Sequence, residues 1–145
     1  MKACILAAVM ALGAGGVQAA PVCKDWAGAL PMIGGYATSF VFAIDPQDRV
    51  NSRGARLETP LAIVQQDRAN MHKFRKAGVL DEGEDLFASL DMRQLITSAD
   101  LRSACYTSPA DLEQIMMDPA FMQLYQADVF IEGNRLVIYL EVLAG

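Results

Sequence analysis

The sequence predicts an α+β fold in which several short helices pack on a small antiparallel sheet that includes a C-terminal β-hairpin. Helix N-caps followed by proline recur along the chain, as at Thr59-Pro60 and Ser108-Pro109. Near the end, two apolar-rich segments are joined by Gly133-Asn134, a dipeptide typical of two-residue hairpin loops. These local patterns predict helices in the middle of the chain and paired strands at its end.

Residues 1–19 have the organisation of a cleavable signal peptide. Lys2 supplies the positive charge, and the apolar run from Ala3 to Leu12 has about the length of a signal-peptide core. This run is about half of the roughly 20 apolar residues that a membrane span needs, and small residues place the cut after Ala19. We therefore expect residues 20–145 to form one domain that is periplasmic or secreted, with no membrane association after cleavage.

The cysteine count indicates one disulfide. Cys4 would leave with the signal peptide, so that Cys23 and Cys105 remain as an even pair. Such a pair in an oxidising compartment favours a bond between the two thiols. We predict a Cys23–Cys105 disulfide that ties the new N-terminus to the second half of the fold. Two free reactive thiols are the alternative, which fits export less well.

The first elements of the domain are the least clear. Residues 36–44 are largely apolar and too few for periodicity to distinguish a helix from a strand, although their β-branched and aromatic residues lean toward a strand. Residues 45–48 are predicted to form a turn because they contain Asp and Pro. Residues 49–58 are polar and basic, and they predict an exposed loop or an edge hairpin.

A clearer helix is predicted from Pro60 to Ala77. Thr59 is a good N-cap, proline suits the first helical position, and Gly78 can end the helix. Its predicted buried stripe comprises Leu61, Val64, Met71 and Phe74. Its predicted solvated basic face comprises Arg68, His72, Lys73, Arg75 and Lys76.

An acidic turn follows, formed by Asp81, Glu82, Glu84 and Asp85. It opens a short predicted helix over residues 84–90, where the helix dipole favours negative charge. The turn lacks the spaced oxygen ligands and the closing bidentate Glu of a calcium loop, so no metal site is predicted. Because the basic face is close in sequence, the acidic turn could also pair with it.

The rest of the chain is predicted as short helices followed by the hairpin. Helical segments are expected over residues 91–97, 99–106, 109–117 and 119–126. The predicted strands cover residues 128–132 and 135–143. The second strand is apolar on both faces, whereas strands of half-exposed antiparallel sheets alternate apolar and polar residues. We therefore expect this strand to be covered on both faces, or to be covered by a partner.

Composition and motifs narrow the function. The net charge of −5 disfavours nucleic acid, whose phosphates need Lys and Arg, and suits a basic protein partner. With His72 as its one histidine, the sequence lacks most triads and multi-histidine zinc sites, and it has no phosphate loop or nucleophile elbow. The sequence thus leans away from an enzyme and predicts no catalytic residue, cofactor or metal.

The leading hypothesis is a small exported protein-binding module, of the inhibitor or immunity type, that acts on another protein. Its predicted contact elements are the acidic turn and the C-terminal hairpin, with Tyr139 as an aromatic anchor. The hairpin could instead form a homodimer by pairing strand edges.

A periplasmic carrier of a small apolar ligand is the alternative function, and an enzyme that uses scattered carboxylates is less favoured. The ligand would lie between the hairpin and a methionine-rich patch, although residues of this kind more often fill a core. This patch comprises Ile115, Met116, Met117, Phe121, Met122, Leu124 and Tyr125.

Overall fold

The computed structural model describes residues 34–103, 108–120 and 123–144. The predicted signal peptide and both partners of the predicted disulfide, Cys23 and Cys105, lie outside these residues. The described part contains three α-helices and a four-stranded sheet, which confirms the α+β prediction. Among the helices described, none has both the length and the apolar character needed to cross a membrane.

The sheet has the strand order β1-β3-β4-β2. Its strands are β1 (Tyr36–Ala43), β2 (Asp100–Ser103), β3 (Leu124–Glu132) and β4 (Arg135–Ala144). β3 pairs antiparallel with both β1 and β4, whereas β2 pairs parallel with β4. The sheet is therefore mixed: β1, β3 and β4 form the antiparallel part that includes the hairpin, and β2 joins it in parallel.

β2 lies in a segment that was predicted to be helical. Leu101 packs against the main core, while Asp100 and Arg102 on either side of it form an ion pair at 2.7 Å. This is the period-two alternation of a strand, but over four residues it is too short to recognise in the sequence.

The open choice for residues 36–44 is settled as a strand over Tyr36–Ala43. Phe40 and Phe42 are buried, while the residues between and beside them are only partly buried, as expected for an edge strand with one face on the core. A 3₁₀ turn over Pro46–Arg49 and an isolated bridge between Val50 and Arg56 follow. The predicted turn and exposed hairpin-like loop are thus present.

The cap-and-proline prediction is confirmed at two helices. α1 (Pro60–Ala69) begins where the Thr59 hydroxyl accepts a hydrogen bond from the backbone N–H of Ala62 at 3.2 Å. α3 (Pro109–Met117) begins in the same way, with Ser108 as the cap. Between them lies the short helix α2 (Leu90–Leu95).

One predicted helix boundary was wrong, and one predicted helix is replaced by a strand. α1 ends at Ala69 rather than Ala77, because a π-helical turn over Asn70–Phe74 follows and Arg75 then adopts a left-handed backbone with φ 55°. The helix predicted over 119–126 is also absent, since β3 begins at Leu124 and alternates its side chains into the core from Tyr125 onward. Tyr125, Ala127 and Val129 reach the core with a period of two, and the sequence analysis did not recognise that this pattern begins before residue 128.

The hairpin itself is confirmed. Gly133 has φ 65° in the two-residue loop, and Glu132 faces Arg135 across it. β4 is covered on both faces at Val137 and Ile138, which point to opposite faces and are both buried, whereas Leu143 near its end is 43% exposed.

The main core fills the space between the helices and one face of the sheet. It contains Phe40, Phe42, Ile63, Val64, Phe87, Ile96, Leu112, Met116, Tyr125, Ala127, Val129, Leu136, Ile138 and Leu140. Met116 and Tyr125 of the methionine-rich patch are thus core residues. The other face of the sheet carries a smaller cluster of Phe130 and Val137, with Tyr36 and Tyr139 packed against it.

Candidate functional site

The buried face of α1 ends in charged residues. Pro60, Ile63 and Val64 are buried at helical spacing, and the next two buried positions are Asp67 and Arg68. Of the predicted apolar stripe, only Val64 is fully buried. Arg68, which was predicted to lie on another face of the helix, is fully buried as well. Buried charges are tolerated where they are paired, and the pairing of Arg68 explains why this face turns inward.

Arg68 connects three elements. Its Nε donates to Asp67 Oδ2 at 2.7 Å, and its Nη1 donates to Glu84 Oε2 at 2.6 Å and to the carbonyl of Glu82 at 2.8 Å. Its guanidinium also lies 4.1 Å from the ring centroid of Phe40 in β1. The charge thus ties α1 to the acidic turn and to the sheet.

Glu84 is the inner carboxylate of the acidic turn. Its Oε1 lies 2.7 Å from His72 Nε2 and accepts a hydrogen bond from the backbone N–H of Phe87 at 3.2 Å. With Arg68 on its other oxygen, only 2% of the side chain is exposed. The expected pairing of the acidic turn with the basic face is therefore found, through Arg68 and His72.

Asp81 and Glu82 line the outer edge of β1. The backbone N–H of Ala43 donates to Asp81 Oδ1 and that of Val41 donates to Glu82 Oε2, each at 3.1 Å. The backbone N–H of Glu82 donates in return to the carbonyl of Val41 at 2.8 Å. The acidic turn thereby covers an edge strand whose backbone groups would otherwise be open to pairing.

The start of the acidic turn is a tight turn from Gly78 to Asp81. The N–H of Asp81 donates to the carbonyl of Gly78 at 3.3 Å, and the N–H of Gly78 donates to Asp81 Oδ2. At its tip Val79 is 102% exposed and Leu80 is 59% exposed. Tips of such turns are usually polar or glycine-rich, so two apolar side chains here depart from ordinary turn chemistry. We call residues 78–85 the display turn.

The predicted contact residues divide into two groups. Glu82 and Asp85 are exposed, whereas Asp81 is partly buried and Glu84 faces inward. Tyr139 lies on β4, where its hydroxyl accepts a hydrogen bond from Arg102 Nη1 at 2.9 Å. Because β3 separates β4 from β1, the structure does not bring Tyr139 to the display turn.

The hairpin strands β3 and β4 occupy the two central positions of the sheet, with β1 and β2 at the edges. Where β1 and β2 flank the hairpin, two copies could pair by their sheet edges only through β1 or β2. The homodimer remains a prediction.

The sequence analysis did not single out Val79 and Leu80. The pattern that could have found them is an apolar pair directly between Gly78 and Asp81, where a turn is already indicated by the glycine and the acidic run. Apolar residues at a position that favours polar ones are the kind of local inconsistency expected at a functional site.

Two further carboxyls near this region are buried. Burial raises the pKa of Asp67 to about 8, although Arg68 acts in the opposite direction, and Asp67 Oδ1 has no hydrogen-bond partner. Burial also raises the pKa of Asp48 to about 6, against the hydrogen bond from Asn70. Among residues 34–103, 108–120 and 123–144, no group of three or more His, Cys, Asp or Glu could hold a metal ion.

Comparisons of the chain with protein-family models, with curated proteins and with solved structures gave no match. The choice of function therefore depends on the contacts and exposures described above.

Proposed function

We propose that this chain is an exported protein-binding module of the inhibitor or immunity type, which contacts a basic partner protein through the display turn. The observation that carries the proposal is the complete exposure of Val79, beside the exposed Leu80, at the tip of a turn with a fixed base. Apolar anchors that enter a pocket of the partner are the usual centre of a protein interface.

Burial of these two side chains would supply much of the binding free energy. Moving an exposed Val or Leu side chain out of water contributes about 1.5–3 kcal/mol. A partner with an apolar pocket at this position would therefore gain from both residues.

The base of the display turn is held before any partner arrives. Asp81 accepts hydrogen bonds from Gly78 and Ala43, and Glu84 is fixed by Arg68 and His72. A binding loop that is already ordered loses less conformational entropy on association. Asp81 and Glu84 bond within the protein and so hold the turn in place for a partner.

The charge around the apolar tip favours a basic partner. Glu82 and Asp85 are exposed on the same turn, and the whole chain carries a net charge of −5. Complementary charge at an interface rim speeds association and excludes acidic competitors. The partner we expect has an apolar pocket surrounded by Lys and Arg.

The location of the protein is part of the same proposal. Residues 1–19 supply the export signal, and Cys23 and Cys105 supply a disulfide suited to the periplasm or the exterior. N-terminal sequencing of the purified protein should begin at Ala20. Intact mass should change on alkylation only after reduction, and two thiols alkylated without reductant would contradict the disulfide.

The binding surface can be tested with a double variant. The full chain, with a C-terminal tag, is expressed in the organism that encodes it and cross-linked, and the partner is identified by mass spectrometry. Val79→Ser with Leu80→Ser should abolish the capture of that partner, because both apolar anchors are lost.

A matched control removes exposed apolar side chains from the sheet instead. Ile131 and Leu143 are 39% and 43% exposed, and the variant Ile131→Ser with Leu143→Ser should still capture the partner. Capture that survives the turn variant but is lost in the sheet variant would move the interface to the hairpin. Capture unaffected by both would overturn the proposal.

A further inference from the structure

We propose that two adjoining grooves beside the π-helical turn bind a small organic anion that also carries hydroxyl groups. This site is separate from the display turn and does not depend on a protein partner. It is formed by α1, the π-helical turn, the loop after β1 and the start of α2.

The two grooves share one aromatic residue, Phe74. The first has a volume of about 220 Å³ and the second about 270 Å³, and both are lined by Phe74, Gln66 and Ser52. Each is smaller than the roughly 300–1,000 Å³ of a pocket for a drug-sized ligand. The dimensions suit a compact polar metabolite rather than a lipid.

The charges that line the grooves have one sign. Lys73 and Arg93 line the first groove and Lys76 lines the second, and neither lining contains Asp or Glu. This is unusual in a chain whose net charge is −5. Asp48 bonds to a lining residue, but it is buried and accepts a hydrogen bond from Asn70 Nδ2 at 2.7 Å. Arg93 is buried, and its Nη1 donates to the carbonyls of Phe87 and Ala88, so its charge acts from within the protein. The exposed Lys73 and Lys76, with no acidic residue in either lining, favour an anion.

The amide side chains of the grooves are already oriented. The Nε2 atoms of Gln47, Gln65 and Gln66 donate to the carbonyl of Lys76, the carbonyl of Arg93 and Asn70 Oδ1, at 2.6, 2.9 and 2.9 Å. Each amide has then committed one N–H to the protein, and its carbonyl oxygen is available as an acceptor. Carbonyl acceptors recognise hydroxyl hydrogens, so a ligand with hydroxyl groups fits better than a bare anion.

The π-helical turn explains why Lys73, Phe74 and Lys76 reach this place. The turn covers Asn70–Phe74 and ends at Arg75 in a left-handed conformation, which redirects the chain so that Lys76 reaches the second groove while Lys73 stays in the first. Lys73 Nζ lies 4.9 Å from the Phe74 ring centroid. π-helical turns are rare and frequently mark functional sites.

The ligand class can be tested with four small probes and calorimetry on the full purified protein. D-Glucuronate and D-glucose 6-phosphate carry both charge and hydroxyl groups, whereas D-glucose lacks the charge and acetate lacks the hydroxyl groups. Binding of either anionic sugar more tightly than of glucose and acetate supports the proposal and shows which anionic group is preferred. Equal binding of all four probes, or no binding of the anionic sugars at millimolar concentration, would overturn it.

The location can be tested with three charge variants. Lys73→Gln and Lys76→Gln should each weaken binding of the preferred anion about tenfold, the effect of losing one charge-assisted hydrogen bond. Arg75→Gln is the matched control, because Arg75 is exposed, adjacent in sequence and outside both linings. If Arg75→Gln weakens binding as much as the lysine variants, the attraction is only a general charge effect and the site is refuted. Shifts of the Phe74 and Gln66 side-chain NMR signals on titration give a second readout in the unmodified protein, and their absence would also count against it.

Discussion

Arg68 Nη1 lies 2.6 Å from Glu84 Oε2, and the two side chains are 0% and 2% exposed. The pair joins α1 to the display turn at a point that water does not reach. Removing Arg68 would leave the buried Glu84 carboxylate with only His72 beside it, and removing Glu84 would leave Arg68 with only Asp67 as its acidic partner. Such a loss in a buried site costs more than losing a surface ion pair. The position of the display turn therefore depends on this pair.

The first prediction concerns the stability that this pair supports. Arg68→Met should lower the free energy of unfolding by about 3–5 kcal/mol, because Asp67 and Glu84 both lose their cation. Urea denaturation measures the change. Arg102→Met removes the partner of Asp100 in a pair that is about one-third exposed, and should cost about 1 kcal/mol or less. If both variants lost the same free energy of unfolding, the Arg68 ion pairs would contribute no more than a partly exposed pair.

The second prediction concerns pH. The pKa of Asp67 rises from 3.8 to about 8 on folding, so the folded state holds more protons than the unfolded chain between these values. The stability that Asp67 contributes is therefore full below about pH 4 and is lost as the pH rises through about 8. Between about pH 4 and pH 8, the free energy of unfolding of the wild type should fall relative to that of Asp67→Asn. Above about pH 8 the difference between the two proteins should stay constant. Urea denaturation at several pH values measures this, and parallel curves for the two proteins would contradict it.

The third prediction separates two neighbouring acidic residues. Asp81→Ala should lower the free energy of unfolding by about 2–3 kcal/mol, because Gly78 and Ala43 lose a charged hydrogen-bond acceptor. It should also promote self-association, detectable by light scattering, because the β1 edge is less well covered. The exposed Asp85 serves as the control, and Asp85→Ala should change stability by about 0.5 kcal/mol or less. If Asp81→Ala and Asp85→Ala changed stability and self-association equally, Asp81 would not be responsible for covering the β1 edge.

The fourth prediction compares two glycines with nearly the same backbone. Gly35 and Gly54 have φ values of 83° and 80°, so alanine at either position is strained to a similar degree. A Cβ at Gly35 would lie 2.9 Å from the carbonyl oxygen of Ile131, whereas nothing lies within 4 Å at Gly54. Gly54→Ala should cost about 1 kcal/mol, and Gly35→Ala should cost clearly more. Urea denaturation of the two variants gives the comparison, and equal costs would place Ile131 farther from the Gly35 backbone.

The elements that could be predicted from the sequence are those encoded by a few adjacent residues. Ser108-Pro109 starts a helix, and Gly133-Asn134 turns a hairpin, through interactions confined to the residues beside them. The burial of Arg68 could not be read in this way, because its partner Glu84 lies 16 residues further along the chain. β2 is a similar case, since its four residues become a strand only by pairing with β4.

The candidate site was predicted in part. The acidic run was recognised as a feature of interest, and its pairing with the basic face was anticipated from their closeness in sequence. The sequence did not reveal that Asp81 and Glu82 bond to β1. These contacts join residues about 40 positions apart, so they depend on the tertiary fold. The apolar tip at Val79 was missed because Val79 stands out only by its solvent exposure, and exposure cannot be read from a sequence.

The pairing of β1 with β3 also governs when the protein can fold. Ser39 in β1 donates a hydrogen bond to Asp128 in β3, 89 residues later, and β4 follows only after β3. On a nascent chain, β1 therefore gains its strand partner β3 only when synthesis is nearly finished. Contacts so distant in sequence form slowly. Under the export that we propose, the chain would cross a translocation channel unfolded, and this delay would keep it in a transportable state.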